Sequence, residues 1–197
     1  AHVKIASDRS NFGGVTGLTQ AESNYAFLVG CYALCKGRVE IEPKNGTDYT
    51  ANAGGIAGTL ANSTIAGCTV KAKNIYGHNA SSPSLIGVSG IAAYVVGVSS
   101  VSDCKAYATL IRNSTVLGTE DASVTPDNLF GMGMIVGIDA GTTTVTNCGV
   151  GGSFYLGASE KPQELILTLD ADSYAKGIIG SGKTATVGGC YYWNGEE

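Results

Sequence analysis

Apolar and polar positions alternate over short stretches that recur along the chain. After one cysteine, Cys68, Val70 and Ala72 share one face, while Thr69, Lys71 and Lys73 share the other. That period of two predicts a half-buried strand. The stretch belongs to a longer unit: a Gly-flanked apolar run, a spacer, a cysteine, then alternating small and apolar positions. Gly54-Gly55-Ile56-Ala57-Gly58 leads to Ile65-Ala66-Gly67-Cys68, and Gly90-Ile91-Ala92-Ala93 leads to Val101-Ser102-Asp103-Cys104. Gly133-Met134-Ile135-Val136-Gly137 leads to Val145-Thr146-Asn147-Cys148, and Gly177-Ile178-Ile179-Gly180 to Val187-Gly188-Gly189-Cys190. A looser copy opens with Gly13-Gly14-Val15-Thr16-Gly17 and ends at Cys35-Lys36-Gly37-Arg38-Val39.

The repeats span roughly residues 13–41, 54–76, 90–112, 133–156 and 177–193, within a single repeat domain covering residues 1–197. Repeat units that each bury one face only when stacked are the sequence signature of a solenoid. The expectation is an all-β fold, a parallel β-solenoid of right-handed β-helix type with about five coils of unequal length. Each coil would hold two or three short strands, with glycines at the corners. A β-sandwich is the alternative, because closely spaced turn signals suit it too. The opening Ala1–Ala6 resembles a strand that follows the repeat's cysteine, which suggests an array belonging to a longer chain with other domains.

The compound pattern, Gly-Gly-apolar-apolar-Gly, a spacer, then apolar-x-x-Cys before small and aromatic residues, resembles the GLUG motif of bacterial secreted and cell-surface proteins. The likeness runs from Gly13 to Trp193 and is best in the blocks at Gly54 and Gly133. The chain departs from the pattern at Ala93, where the last Gly of the run is expected. Only Cys190 is followed directly by aromatics, Tyr191-Tyr192-Trp193. The resemblance implies an extracellular or bacterial cell-surface location.

One repeat position carries Cys35, Cys68, Cys104, Cys148 and Cys190, which stacking would turn into a ladder of inward, apolar thiols. Cys31 stands outside it, and a bond to Cys35 is open. No CxxC spacing marks a metal site, and the two histidines, His2 and His78, lie near no cysteine. The repeats differ most in four insertions, Glu42–Ala53, Gly77–Ser89, Gly118–Gly131 and Gly157–Lys176, which should gather on one edge. Loops carry binding more often than their scaffold does. Tyr49, Asp121, Asp127, Glu164, Asp170 and Asp172 are therefore the candidate ligand-binding residues, for a glycan or a host protein.

Composition narrows the chemistry. Charged residues make up 14% of the chain and apolar ones 44%, with 29 glycines, which excludes a disordered chain and disfavours a helical one. Twelve basic residues and a net charge of −4 leave no electrostatic footprint for nucleic acid. The longest apolar tract, Gly87–Val98, falls short of the roughly 20 residues a membrane helix needs, so no direct insertion is expected. Gly177–Thr184 fits the P-loop pattern G-x-x-x-x-G-K-T, yet the residues after it are poor helix formers. Asp170 and Asp172 could serve a carbohydrate-active enzyme, a hydrolase or lyase, but supporting Arg, Lys and His residues are missing nearby. The expectation is a non-enzymatic scaffold or adhesin-like module, without metal or cofactor; a purely structural stalk is the remaining alternative.

Overall fold

The computed structural model describes residues 3–6, 9–14, 16–20, 26–29, 32–42, 50–79, 85–114, 130–157, 163–165, 177–182 and 185–196. The described chain is all-β. After β1 (Val3–Ala6) come four rounds of four strands. The first holds β2 (Arg9–Gly13), β3 (Thr16–Gln20), β4 (Ala26–Val29) and β5 (Tyr32–Glu42). The second holds β6 (Thr50–Gly54), β7 (Ala57–Ala61), β8 (Ser63–Ala66) and β9 (Thr69–Asn79). The third holds β10 (Leu85–Ser89), β11 (Ala92–Val96), β12 (Val98–Ser102) and β13 (Lys105–Ser114). The fourth holds β14 (Phe130–Gly133), β15 (Val136–Asp139), β16 (Thr142–Thr146) and β17 (Gly149–Gly157). Then follow β18 (Gln163–Leu165), β19 (Ile179–Gly182), β20 (Thr186–Gly188) and β21 (Tyr191–Tyr192).

Each strand pairs with its counterpart one round away. Sheet A runs β1-β5-β9-β13-β17, sheet B β2-β6-β10-β14, sheet C β3-β7-β11-β15-β19 and sheet D β4-β8-β12-β16-β20. Pairing is parallel throughout, except that β18 lies antiparallel on β17, whose first residues also pair with β21. The register keeps the repeats aligned: Gly13 pairs with Gly54, Gly54 with Ser89 and Ser89 with Gly133. Likewise Thr69 pairs with Lys105, Lys105 with Gly149 and Gly149 with Tyr191.

This register sorts side chains into columns, which explains the repeated residue types. Ile65, Val101 and Val145 form one column in sheet D, each fully buried. Ile56, Ile91, Ile135 and Ile178 form another at the corner between sheets B and C, with Ile56 N–H donating to the Ile91 carbonyl at 3.0 Å and Ile135 N–H to Ile178 at 3.0 Å. Burying each such side chain contributes about 1.5–3 kcal/mol. The Gly-rich motif sits at the same corner, where backbones of adjacent rounds meet. A Cβ at Gly90 would lie 2.5 Å from the Met134 carbonyl oxygen and 2.8 Å from the Ala106 methyl. Only a hydrogen fits there.

Two details differ from the sequence reading. Each full round holds four strands, because β6, β10 and β14 occupy the ends of segments expected to be insertions. The second concerns the cysteines: Cys35 pairs with Ala72, while Tyr32 pairs with Thr69. Cys35 therefore does not share the register of Cys68. In sequence it is Cys31 that precedes Tyr32 as Cys68 precedes Thr69; Cys31 lies outside the described residues.

Candidate functional site

The expected ligand-binding residues are barely reached by the described structure. Tyr49, Asp121, Asp127, Asp170 and Asp172 lie outside the described residues. Glu164 lies in β18, its backbone opposite Tyr155 of β17. The connections that carry Tyr49, Asp121 and Asp127 leave sheet A and enter sheet B, as the one across 80–84 does. Asn79 and Ser114 end β9 and β13 in one register, and Thr50 and Leu85 begin β6 and β10 in one register.

The thiols are well defined. Cys68, Cys104 and Cys148 are buried and Cys190 is half-buried. Each is preceded by a residue in the left-handed region: Gly67 (φ 62°), Asp103 (φ 54°), Asn147 (φ 55°) and Gly189 (φ 65°). Gly, Asn and Asp are the residues that tolerate this conformation, which turns the chain from sheet D into sheet A. The turn directs each sulfur inward, onto the carbonyl two residues earlier: Cys104 Sγ donates to Ser102 at 3.1 Å and Cys148 Sγ to Thr146 at 3.3 Å. Between rounds, Cys68 N–H donates to Cys104 Sγ at 3.4 Å. Hydrogen bonds to Cys148 and Cys68, with burial, push the Cys104 thiol above the ordinary thiol range. The bond to Cys148, with burial, does the same for Cys190. Cys148 moves the other way, because bonds from Cys104 and Cys190 outweigh its burial. Among the described residues no cluster of three or more His, Cys, Asp or Glu is placed to hold a metal.

The opposite side of the same strands carries a second cluster, which the sequence reading missed. Trp193 leaves β21 and lies on the outer face of sheet A, only 7% exposed, its N–H donating to the Val150 carbonyl at 2.8 Å. Gly149 and Gly151 of β17 make room for it: a Cβ at Gly151 would overlap the Trp193 carbonyl, and one at Gly149 would press on the Tyr191 ring at 2.9 Å. Lys71 Nζ stands 5.4 Å and Lys105 Nζ 5.6 Å from the indole centroid. The Tyr107 ring meets the indole edge-on, at 6.4 Å and 86°. The indole N–H closes the arrangement by donating to the Glu196 carbonyl at 2.5 Å. Tyr107 and Tyr191 keep 37% and 44% of their surface open. The signal was in the sequence, as alternating glycines in Gly149-Val150-Gly151 beside the chain's single Trp, but the pairing that joins them to Lys71 and Tyr107 was not.

Two further positions bear on chemistry. Asp139 stands in the register of Val95, itself paired with Leu60, so a carboxylate occupies an inward position. It is 5% exposed; its Oδ1 accepts from Thr143 Oγ1 at 2.6 Å and from Gly141 N–H at 3.1 Å. The P-loop-like segment is ladder rather than loop: Ile179–Gly182 is β19, paired with β15, and the next described element is the strand β20. A P-loop requires a helix N-terminus at that point. No described helix is long and apolar enough to cross a membrane. Compared with protein-family models, curated proteins and solved structures, the chain matches none.

Proposed function

We propose that the chain is a parallel β-solenoid, a right-handed β-helix of about five coils, serving as a non-enzymatic scaffold or adhesin-like module of a bacterial secreted or cell-surface protein. Its ligand is a glycan or host protein met on the surface of the stack. The observation that carries this reading is the register: strands four apart in sequence pair in parallel, round after round. Such pairing supports the solenoid over a β-sandwich, whose sheets are built mainly from antiparallel strands. It also supports a gathered edge, since the connections across 43–49, 80–84 and 115–129 all leave sheet A and enter sheet B. The surface location rests on the resemblance of the repeat to the GLUG motif.

A stack of this kind is a rigid spacer whose side chains recur at strand spacing, about 4.8 Å. An extended polymer or protein surface can engage several rounds at once. The test is a glycan array together with a panel of host matrix proteins, with circular dichroism to certify the fold. Saturable binding is expected on one panel. Silence on both, with the fold intact, reduces the module to a spacer. Breakdown of a polysaccharide that Asp172→Asn abolishes would overturn the non-enzymatic reading.

A further inference from the structure

We propose that the outer face of sheet A, at Tyr107, Tyr191, Lys71 and Lys105, is a binding platform for an anionic polysaccharide, one whose sugar rings carry carboxylate or sulfate groups. The inference rests on the surface-module reading above and moves the ligand from the long-connection edge to this face. Three observations carry it. First, Tyr107 and Tyr191 are two of only four exposed large apolar residues among those described, the others being Val98 and Tyr192. They come from β13 and β21, on either side of the glycine-bearing β17. Tyr191 offers a flat face to the C–H side of a pyranose ring and a hydroxyl to its rim, the amphipathic character that suits Tyr to interfaces. The Tyr107 ring lies against Gly195, where a Cβ would come within 2.9 Å of it, and offers its open rim.

Second, the charge fits an acid. Lys71 and Lys105 reach the same spot from neighbouring strands, and Lys73 is exposed on β9. Gathering lysines is notable in a chain of net charge −4. Third, the site is held in place. The buried indole of Trp193 fixes Tyr107 edge-on and anchors both ammonium groups over its ring. Preorganised side chains lose less freedom on binding, so more of the contact energy appears as affinity. Stacking rings beside lysines also suit single-stranded nucleic acid. The negative net charge and a basic patch of few lysines leave no electrostatic footprint for nucleic acid, which favours the glycan.

Trp193 is the chain's only tryptophan, so its fluorescence reports this site alone. The experiment titrates the whole chain with polygalacturonate, chondroitin sulfate, neutral dextran and oligo(dT), reading Trp193 emission, and repeats the series as retention on immobilised ligand. Saturable binding of an acidic polysaccharide, weakening as salt rises, is expected. Tyr191→Ala should weaken it about tenfold, the loss of roughly 1.4 kcal/mol. Lys71→Gln with Lys105→Gln should abolish the preference for acidic over neutral chains, with circular dichroism unchanged. Dextran bound as well as the acidic chains, or oligo(dT) bound more tightly, would overturn the proposal. Acidic-glycan binding indifferent to all three substitutions would overturn this platform and leave the surface-module reading standing. Absence of any glycan binding by a folded protein, with host proteins bound instead, would likewise remove the platform alone.

Discussion

Two neighbouring columns of residues run through the stack and could hardly differ more. One reads Cys68, Cys104, Cys148, Cys190; the other, a single residue further along each strand, reads Thr69, Lys105, Gly149, Tyr191. The first faces inward, where each side chain must fit beneath the same side chain of the next round. A small apolar thiol satisfies that demand, so it recurs. The second faces outward, where stacking makes no demand on size or charge. There each round carries something different, and together with the next outward column, Lys71, Tyr107, Gly151 and Trp193, the differences build the lysine, tyrosine and tryptophan cluster. Repetition marks what the stack requires, and variation marks what it leaves free.

The comparison can be broken by substitution. Leu110 is fully buried within sheet A's inner column, so Leu110→Ala should cost about 2–5 kcal/mol in denaturant unfolding. A cost below 1 kcal/mol would mean that the interior is not packed as described. Next in size is Cys104→Leu, which forces extra volume between Cys68 and Cys148 and should cost about 1–3 kcal/mol. Its neighbour Lys105→Leu, identical in the residue introduced, should cost under about 0.5 kcal/mol. Equal effects at the two positions would erase the distinction between the columns.

Alkali should act on the inner column. Cys104 and Cys190 hold their protons more tightly folded than unfolded. Their contribution is complete below the unfolded thiol pKa of about 8.5 and is lost as pH rises beyond it. Cys148, shifted down, contributes above that pH and loses its share only as pH falls below it. The melting temperature in reductant should therefore decline above about pH 8.5, and Cys104→Ser should flatten that decline. A decline identical in the variant would locate it elsewhere. The smallest expected effect is Lys105→Gln, which like Lys105→Leu removes one ammonium from the Trp193 ring and should cost no more than about 0.5 kcal/mol, with a shift in Trp193 emission. Unchanged emission would contradict the contact.

Much of this architecture could be read from the chain because three of the four strands in a round keep a constant relation to the cysteine. Ile56, Ile65, Cys68 and Val70 are matched by Ile91, Val101, Cys104 and Ala106, and the fold pairs them in that order. Sheet B escaped notice because its strands lie at and before the glycine run that marks the start of each repeat, within segments expected to be insertions, although Thr50 and Leu85 stand 18 and 19 residues before Cys68 and Cys104. These strands are also poor in bulky residues, since glycines such as Gly87 and Gly131 lie against the backbone of sheet C. The placing of Cys35 erred for a different reason. Two cysteines stand in that block, and the discriminating mark is the left-handed residue before the ladder thiol. Gly67, Asp103, Asn147 and Gly189 carry it, and Gly30 holds the same place before Cys31. The aromatic cluster was hidden because its members are distant in sequence and become neighbours only through the stacking of rounds.

The central claim is the parallel, in-register stacking of strands four apart. Nuclear Overhauser contacts between backbone protons of β9, β13 and β17 test it most directly. The account predicts contacts of the parallel type linking Lys105 to Thr69 on one side and to Gly149 on the other. Antiparallel contacts, or pairing of β13 with its sequence neighbour β12, would contradict it.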